Sequence, residues 1–156
     1  MDGHLQTGGA GLSLVFDQDD RVAQFVATLL PVAFTADDFG PCTTIGIADK
    51  SSGDLIGGAV YHRWRGFDCE LTFAATSPRW CRRGVLTALF HYPFVQRACT
   101  RMTLIIGRNN ARALKLNLGL GFKLEGIARR AYDGINDACV LGMLREECRF
   151  IKGYVQ

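Results

Sequence analysis

The residues best suited to chemistry in this chain lie between positions 69 and 89, in CELTFAATSPRWCRRGVLTAL. The run 69–76 has strand character, with Glu70, Thr72 and Ala74 on one face and Leu71, Phe73 and Ala75 on the other. One carboxylate therefore shares its face with small residues. Ser77–Pro78 ends the run, a basic turn follows, and an apolar helix begins near Gly84. The first N–H groups of a helix have no intrahelical partner and sit at the positive end of its dipole. Such a terminus is a natural seat for a pyrophosphate. Gly84 lets a ligand approach the backbone, Arg82 and Arg83 add positive charge, and Thr87 adds a hydroxyl. A solvated basic turn in front of a core helix is the plainer alternative. The loop is not a Walker A motif, because no Gly-Lys-Ser/Thr follows, and GxGxxG is missing.

The charge distribution points to the same half of the chain. The 156 residues carry a formal net charge of +3, but residues 1–78 hold 4 basic and 10 acidic side chains and residues 79–156 hold 14 and 5. Within 79–130 the count is 11 basic to 1 acidic, so an anion is expected there. At 48% hydrophobic and 10% aromatic the chain can bury a core without staples, and a single domain over 1–156 is expected. No apolar run reaches the roughly 18–20 residues of a membrane span. The N-terminus lacks the apolar stretch of a secretory signal, and a cytoplasmic location is expected. The six cysteines form no CxxC pair and read as reduced, mostly buried thiols. They are not clustered with His4, His62 or His91, so no metal site is expected.

These residues need a scaffold, and the pattern supplies one. Residues 1–11 are polar and glycine-rich and are expected to be loose. Strands are expected at 12–16, 42–49, 55–64, 69–76, 101–107, about 120–131 and 137–144. Helices are expected after Asp17, Asp19 or Asp20, with Val22, Phe25, Val26 and Leu29 on one face, and at 109–119 behind an asparagine cap. A further helix runs from the Gly84 turn through YPF, kinked at Pro93, and a short one closes the chain from Arg145. Hairpins first and helical crossovers later give an α+β fold, a mixed sheet with helices on both faces.

The segment CELTFAATSPRWCRRGVL resembles motif A of the GNAT superfamily of N-acetyltransferases, a strand with an acidic residue followed by Q/R-x-x-G-x-G/A at a helix start. Gly84 holds the first glycine, while Cys81 replaces Gln/Arg and Leu86 the second Gly/Ala. NNARALKLNLGLGFKLEGIARRAYDG is similar to motif B, with Asn110, Ala113, Leu116, Leu120, Gly121 and Phe122 in place. The tail GINDACVLGMLREE looks like the closing hairpin of the subgroup that acetylates ribosomal-protein N-termini, and similar chains are expected in phage genomes. The resemblance implies a mostly antiparallel sheet of six or seven strands, splayed between two central parallel strands, here 69–76 and 101–107. Acetyl-CoA would lie in that wedge as co-substrate, without a metal. Its pantetheine arm would meet Ala74, Ala75 and Thr76, and its pyrophosphate the N–H groups of Arg82, Arg83, Gly84, Val85, Leu86 and Thr87. Asn110 would hold the arm or cap its helix, and Arg79, Arg112 and Lys115 are candidates for the outer phosphate.

The implied reaction is direct attack of a primary amine on the thioester, with Glu70 as catalytic base. If Glu70 faces the wedge, an apolar setting should raise its pKa. A surface ion pair with Arg63 or Arg65 is the other reading of this residue. Asn117 stands where many relatives carry a tyrosine acid, and His62 reads as a surface or otherwise satisfied histidine. The acceptor site falls on residues 19–41 and 131–138, which contain Asp19, Asp20, Asp37, Asp38, Asp133 and Asp137. An acidic rim there would favour a cationic acceptor such as a protein N-terminus, lysine, a polyamine or an aminoglycoside. The family is often dimeric, so a homodimer is expected. The departures at Cys81, Leu86 and Asn117 leave open a catalytically degenerate binding or virion-associated protein. Nucleic acid other than charged tRNA is not expected as a partner, because the basic residues form no RNP-like or helix-turn-helix pattern.

Overall fold

The computed structural model describes residues 11–154. In chain order these form β1 (Leu12–Val15), α1 (Asp19–Leu29), β2 (Cys42–Asp49), β3 (Leu55–His62), β4 (Glu70–Ala75), α2 (Arg83–His91), β5 (Arg101–Gly107), α3 (Ala111–Leu120), β6 (Lys123–Ala128) and β7 (Ala138–Leu144). The strands make one seven-stranded sheet in the order β1-β2-β3-β4-β5-β7-β6. Every neighbouring pair is antiparallel except β4 and β5, which are parallel. The mixed sheet and its central parallel pair agree with the expected architecture.

Alternation along the strands builds a core on each face. Ile45, Ile47, Ala59, Tyr61 and Leu71 turn to one side, where α2 packs through Val85, Ala88 and Leu89. The buried Tyr61 hydroxyl donates to the Leu89 carbonyl at 2.5 Å. On the opposite side α1 presents Val22, Ala23, Val26 and Ala27 to Val60. That approach is close because Gly46 and Gly58 face each other across β2 and β3 under the helix. A Cβ at Gly58 would lie 2.8 Å from a Val26 methyl and 2.9 Å from a Val22 methyl.

Several boundaries differ from expectation, each for a local reason. Gln18 stands at the N-cap of α1 and makes no side-chain cap bond. Asp19 instead accepts from the Thr44 N–H at 2.9 Å and the Thr44 hydroxyl at 2.8 Å, tying the helix to β2. β3 stops at His62 because Arg63 turns to φ +51°. The helix after Gly84 ends at His91 and continues as a π turn over Tyr92–Gln96. Pro93 has no N–H to give to an α bond, and the turn closes through Arg97 N–H to the Tyr92 carbonyl at 3.0 Å. Leu120 ends α3 rather than opening a strand, and β6 stops at Ala128 before a turn with Arg130 at φ +56°. The expected last helix is two 3-10 turns, Arg145–Glu147 and Arg149–Ile151, separated by extended Cys148. Of the segment expected to be loose, residues 1–10 lie outside the described residues. Gly11 is in a turn and accepts from the Lys50 N–H at 2.9 Å. All six cysteines are free; Cys69, Cys99, Cys139 and Cys148 are buried and Cys81 is exposed.

Candidate active site

The parallel pair barely pairs. Glu70 and Thr103 are in register, the Thr103 N–H reaches the Cys69 carbonyl at 2.9 Å, and beyond them the strands part. Each is held elsewhere: β4 follows β3 as far as Ala75, and β5 follows β7 over its whole length from Arg101 to Gly107. The wedge opens into a cleft of about 1040 Å³. Its walls come from β4, from Leu104–Ile106 of β5, from the first and last turns of α2, from α3 and from the loop after α1.

The exposed edge of β4 has a definite parity. The Thr76 N–H bonds the Ile56 carbonyl at 2.8 Å, so even-numbered residues of β4 turn their backbone groups to β3. Odd-numbered residues turn theirs to β5. The Cys69 carbonyl and the Leu71 N–H are already used there on Thr103, which leaves Phe73 and Ala75 facing the wedge with strand-like donors and acceptors. Ala74 and Thr76 line the cleft but spend their main chain on β3. Of the expected run Ala74, Ala75 and Thr76, Ala75 has its main chain on this edge, and Phe73, outside that run, shares it.

Glu70 sits at the closed end of the wedge. Its register partner on β3 is His62, and both side chains are largely covered, with 12% of Glu70 and 6% of His62 exposed. His62 is thus not a surface residue. Its Nε2 lies 2.9 Å from the Thr72 hydroxyl and its ring makes an edge contact with Phe39 at 5.1 Å. Burial, and secondarily the Arg63 charge, lowers the His62 pKa to about 4, so the ring is neutral at pH 7. The Nε2 contact with Thr72 leaves Nδ1 turned towards Glu70. It stands 3.7 Å from Glu70 Oε2, and both of these buried atoms lack a hydrogen-bond partner. Arg63 Nε approaches the same oxygen at 3.3 Å, while Arg65 stacks on Phe67 instead. The ion pair and the wedge-facing position therefore coexist. Burial dominates: it raises the Glu70 pKa, with the Arg63 charge acting against it.

The other residues singled out from the sequence divide into two groups. Ala74, Ala75, Thr76, Leu86 and Asn110 line the cleft with Glu70, as do Cys81, Arg112 and Asn117. Arg82, Arg83, Gly84, Val85 and Thr87 stand behind its rim at the start of α2, where Arg83 and Gly84 are exposed and Val85 is fully buried. The N-terminus of α2 has no side-chain cap. The Arg82 N–H bonds the Trp80 carbonyl at 2.8 Å and the Leu86 N–H the Arg82 carbonyl at 2.9 Å. That leaves Arg83, Gly84 and Val85 as the N–H groups of the first turn. Asn110 caps α3 by accepting from the Ala113 N–H at 3.2 Å. Asn117 donates to the Ala113 carbonyl at 2.8 Å. Arg79 is paired with Asp49 at 2.8 Å, whereas no ion pair engages Arg112 or Lys115 among the described residues.

The expected acidic rim does not form. Of its six aspartates only Asp38 lines the cleft, and its carboxylate accepts from the Thr35 N–H at 2.7 Å and hydroxyl at 3.0 Å. Asp19 is bound to Thr44, Asp133 closes the turn to Asn136, and Asp137 pairs with Arg108 at 3.2 Å. Short polar side chains in loops satisfy nearby backbone first. The wall they were expected to form consists of Leu29, Leu30, Pro31, Val32, Phe34 and Phe39. The β3–β4 hairpin carries a signal for His62, since strands ending at 62 and restarting at 70 bring those two residues face to face.

Among the described residues no group of three or more His, Cys, Asp or Glu is placed to hold a metal ion, and no helix is long and apolar enough to cross a membrane. No protein-family model and no curated protein matches the chain. Solved structures do match. A mutant of the spermidine N-acetyltransferase SpeG from Vibrio cholerae has a TM-score of 0.69 at 14% identity, over 93% of this chain and 99% of that one. A dodecameric form of that enzyme gives 0.68 at 14% identity, over 88% and 96%, and mutants of the spermidine/spermine enzyme give 0.67 at 15% identity, over 86% and 95%. This chain therefore has the fold of the spermidine N-acetyltransferases, the GNAT fold expected from its two motifs.

Proposed function

We propose that the protein is an acetyl-CoA-dependent N-acetyltransferase that moves an acetyl group directly to a primary amine. The observation that carries this reading is the splayed β4–β5 pair, whose unpaired edge at Phe73 and Ala75 runs towards the uncapped start of α2. An extended amide-containing arm can add to that edge as a strand does. The Arg83–Val85 N–H groups and the arginines around them suit the pyrophosphate at its far end. Arg112 and Lys115 suit the outer phosphate. Neighbours of the same fold act on spermidine, which supports amine acylation as the chemistry.

In the reaction the amine nitrogen attacks the thioester carbon, a C–N bond forms and the C–S bond breaks. Glu70 takes the amine proton, directly or through a water, and its raised pKa suits a base working nearer neutrality. The CoA thiolate leaves and is protonated from solvent, since Asn117 has no proton to give as an acid. The closing hairpin supports a place near enzymes that acetylate ribosomal-protein N-termini. A homodimer is part of this reading: edge strand β6 leaves Leu124 and Ile127 exposed. Isothermal titration with acetyl-CoA tests the proposal. Binding should be saturable and should be lost in Gly84→Phe; no binding at millimolar ligand refutes it.

A further inference from the structure

We propose that Arg149 is a positioning residue for the cofactor: its guanidinium pins the C-terminal end of α3 and so fixes one wall of the cleft. The inference rests on the acetyltransferase reading for the identity of the ligand, while the clamp is argued from its own geometry. Arg112, Ala113, Leu116, Asn117 and Leu120 of α3 line the cleft. Yet none of the ten residues of this helix is buried. Ala113, Leu114 and Leu120 touch the core from partly exposed positions, and Leu116 and Leu118 are 40% and 48% exposed. So short a helix is marginal in water and takes its stability from packing. With so little surface covered, α3 depends on how its ends are held.

The two ends are held differently. At the N-terminus Asn110 accepts from the Ala113 N–H, a bond that ties the helix only to its own cap. At the other end the last four carbonyls of a helix lack intrahelical partners. Gly121, at φ +116°, turns the chain so that the backbone meets two of them. Its N–H reaches the Leu118 carbonyl at 3.2 Å, and the Phe122 N–H reaches the Asn117 carbonyl at 3.1 Å. The remaining two, of Gly119 and Leu120, both accept from Arg149, whose Nη2 and Nη1 donate at 3.0 Å each. A planar guanidinium serves two carbonyls as a fork, where an ammonium is a single point. Its charge also suits the negative end of the helix dipole. Arg149 is itself anchored. Cys148 and Ile151 are buried, the guanidinium lies 4.6 Å from the Phe150 ring centre, and Phe150 stacks on Phe90 at 5.3 Å. The clamp therefore ties α3 to α2, whose Leu86, Leu89 and Phe90 line the same cleft.

The test combines amide hydrogen exchange, read by mass spectrometry, with isothermal titration of acetyl-CoA into the full chain. In Arg149→Ala the amides of α3 should exchange about tenfold faster than in wild type, while those of α1 keep the wild-type rate. Acetyl-CoA should bind about fivefold more weakly, because only molecules with α3 in place are competent. Saturating acetyl-CoA should slow α3 exchange in the variant again, since the ligand then supports the wall. Arg149→Lys separates the fork from the charge: α3 should still exchange fast and binding should still be weakened. Wild-type binding in either variant overturns the proposal, as does unchanged α3 exchange in Arg149→Ala. Equal acceleration in α1 and α3 also overturns it, because that is the loss of a merely structural contact. Wild type that binds no acetyl-CoA refutes the acetyltransferase reading, and the exchange comparison without ligand still judges the clamp. Wild type that binds, with both variants equal to it, refutes the clamp alone.

Discussion

His62 couples the site to stability in a way that acid titration can read. In the unfolded chain its imidazole takes a proton at the ordinary 6.5, whereas in the fold burial delays this to about 4. Between these values the unfolded state binds the extra proton, so stability is present in full above about pH 6.5 and is lost as pH falls towards 4. At about 1.4 kcal/mol per pH unit the loss from this one residue approaches about 3 kcal/mol. That is a ceiling, because the cleft admits water to the ring. Glu70 acts with the opposite sign. Its raised pKa gives stability that is present below the ordinary 4.5 and lost as pH rises through the folded value. Removing either residue therefore tilts the pH dependence in opposite directions. Urea unfolding followed by Trp64 and Trp80 fluorescence, between about pH 7.5 and pH 4.5, measures this. Relative to wild type, His62→Gln should lose less stability on acidification and Glu70→Gln should lose more. The other carboxylates are common to all three proteins and cancel in the comparison. Superimposable slopes in the three would refute the buried, neutral state of His62.

Three further outcomes follow from the geometry. If Glu70 is the base, Glu70→Gln should lower kcat about a hundredfold or more. In wild type the acid limb of the rate profile should fall above the ordinary glutamate value of 4.5, as read by CoA thiol release. Gly58→Ala should cost about 1–3 kcal/mol in urea unfolding, because its methyl meets Val22 and Val26, branched residues that cannot swing aside. Asn110→Ala should cost about 1 kcal/mol by uncapping α3, whose residues include none that is fully buried to compensate; Asn110→Asp should retain most of it.

Much of the scaffold was legible because it is local. Alternation in 69–76 placed Glu70, Thr72 and Ala74 on one face, and the NNARAL start gave α3 its cap at Asn110. The fit to two spaced motifs identified the parallel strands at the centre of the sheet. Boundaries failed where the backbone departs from regular values, at Arg63, at the π turn over Tyr92–Gln96 and at Arg130.

What the chain alone determined is the set of elements and their order, because strand alternation, caps and proline act over a few residues. Tertiary structure decided the state of the charges. The same six aspartates that promise an acidic rim are spent on Thr44, Thr35, Asn136 and Arg108 or lie away from the cleft. His62 is buried because α1 and the loop after it close over β3, settling on the glycine pair at Gly46 and Gly58. Burial then sets the protonation of His62 and Glu70, and burial is a property of distant segments coming together, which no single segment encodes.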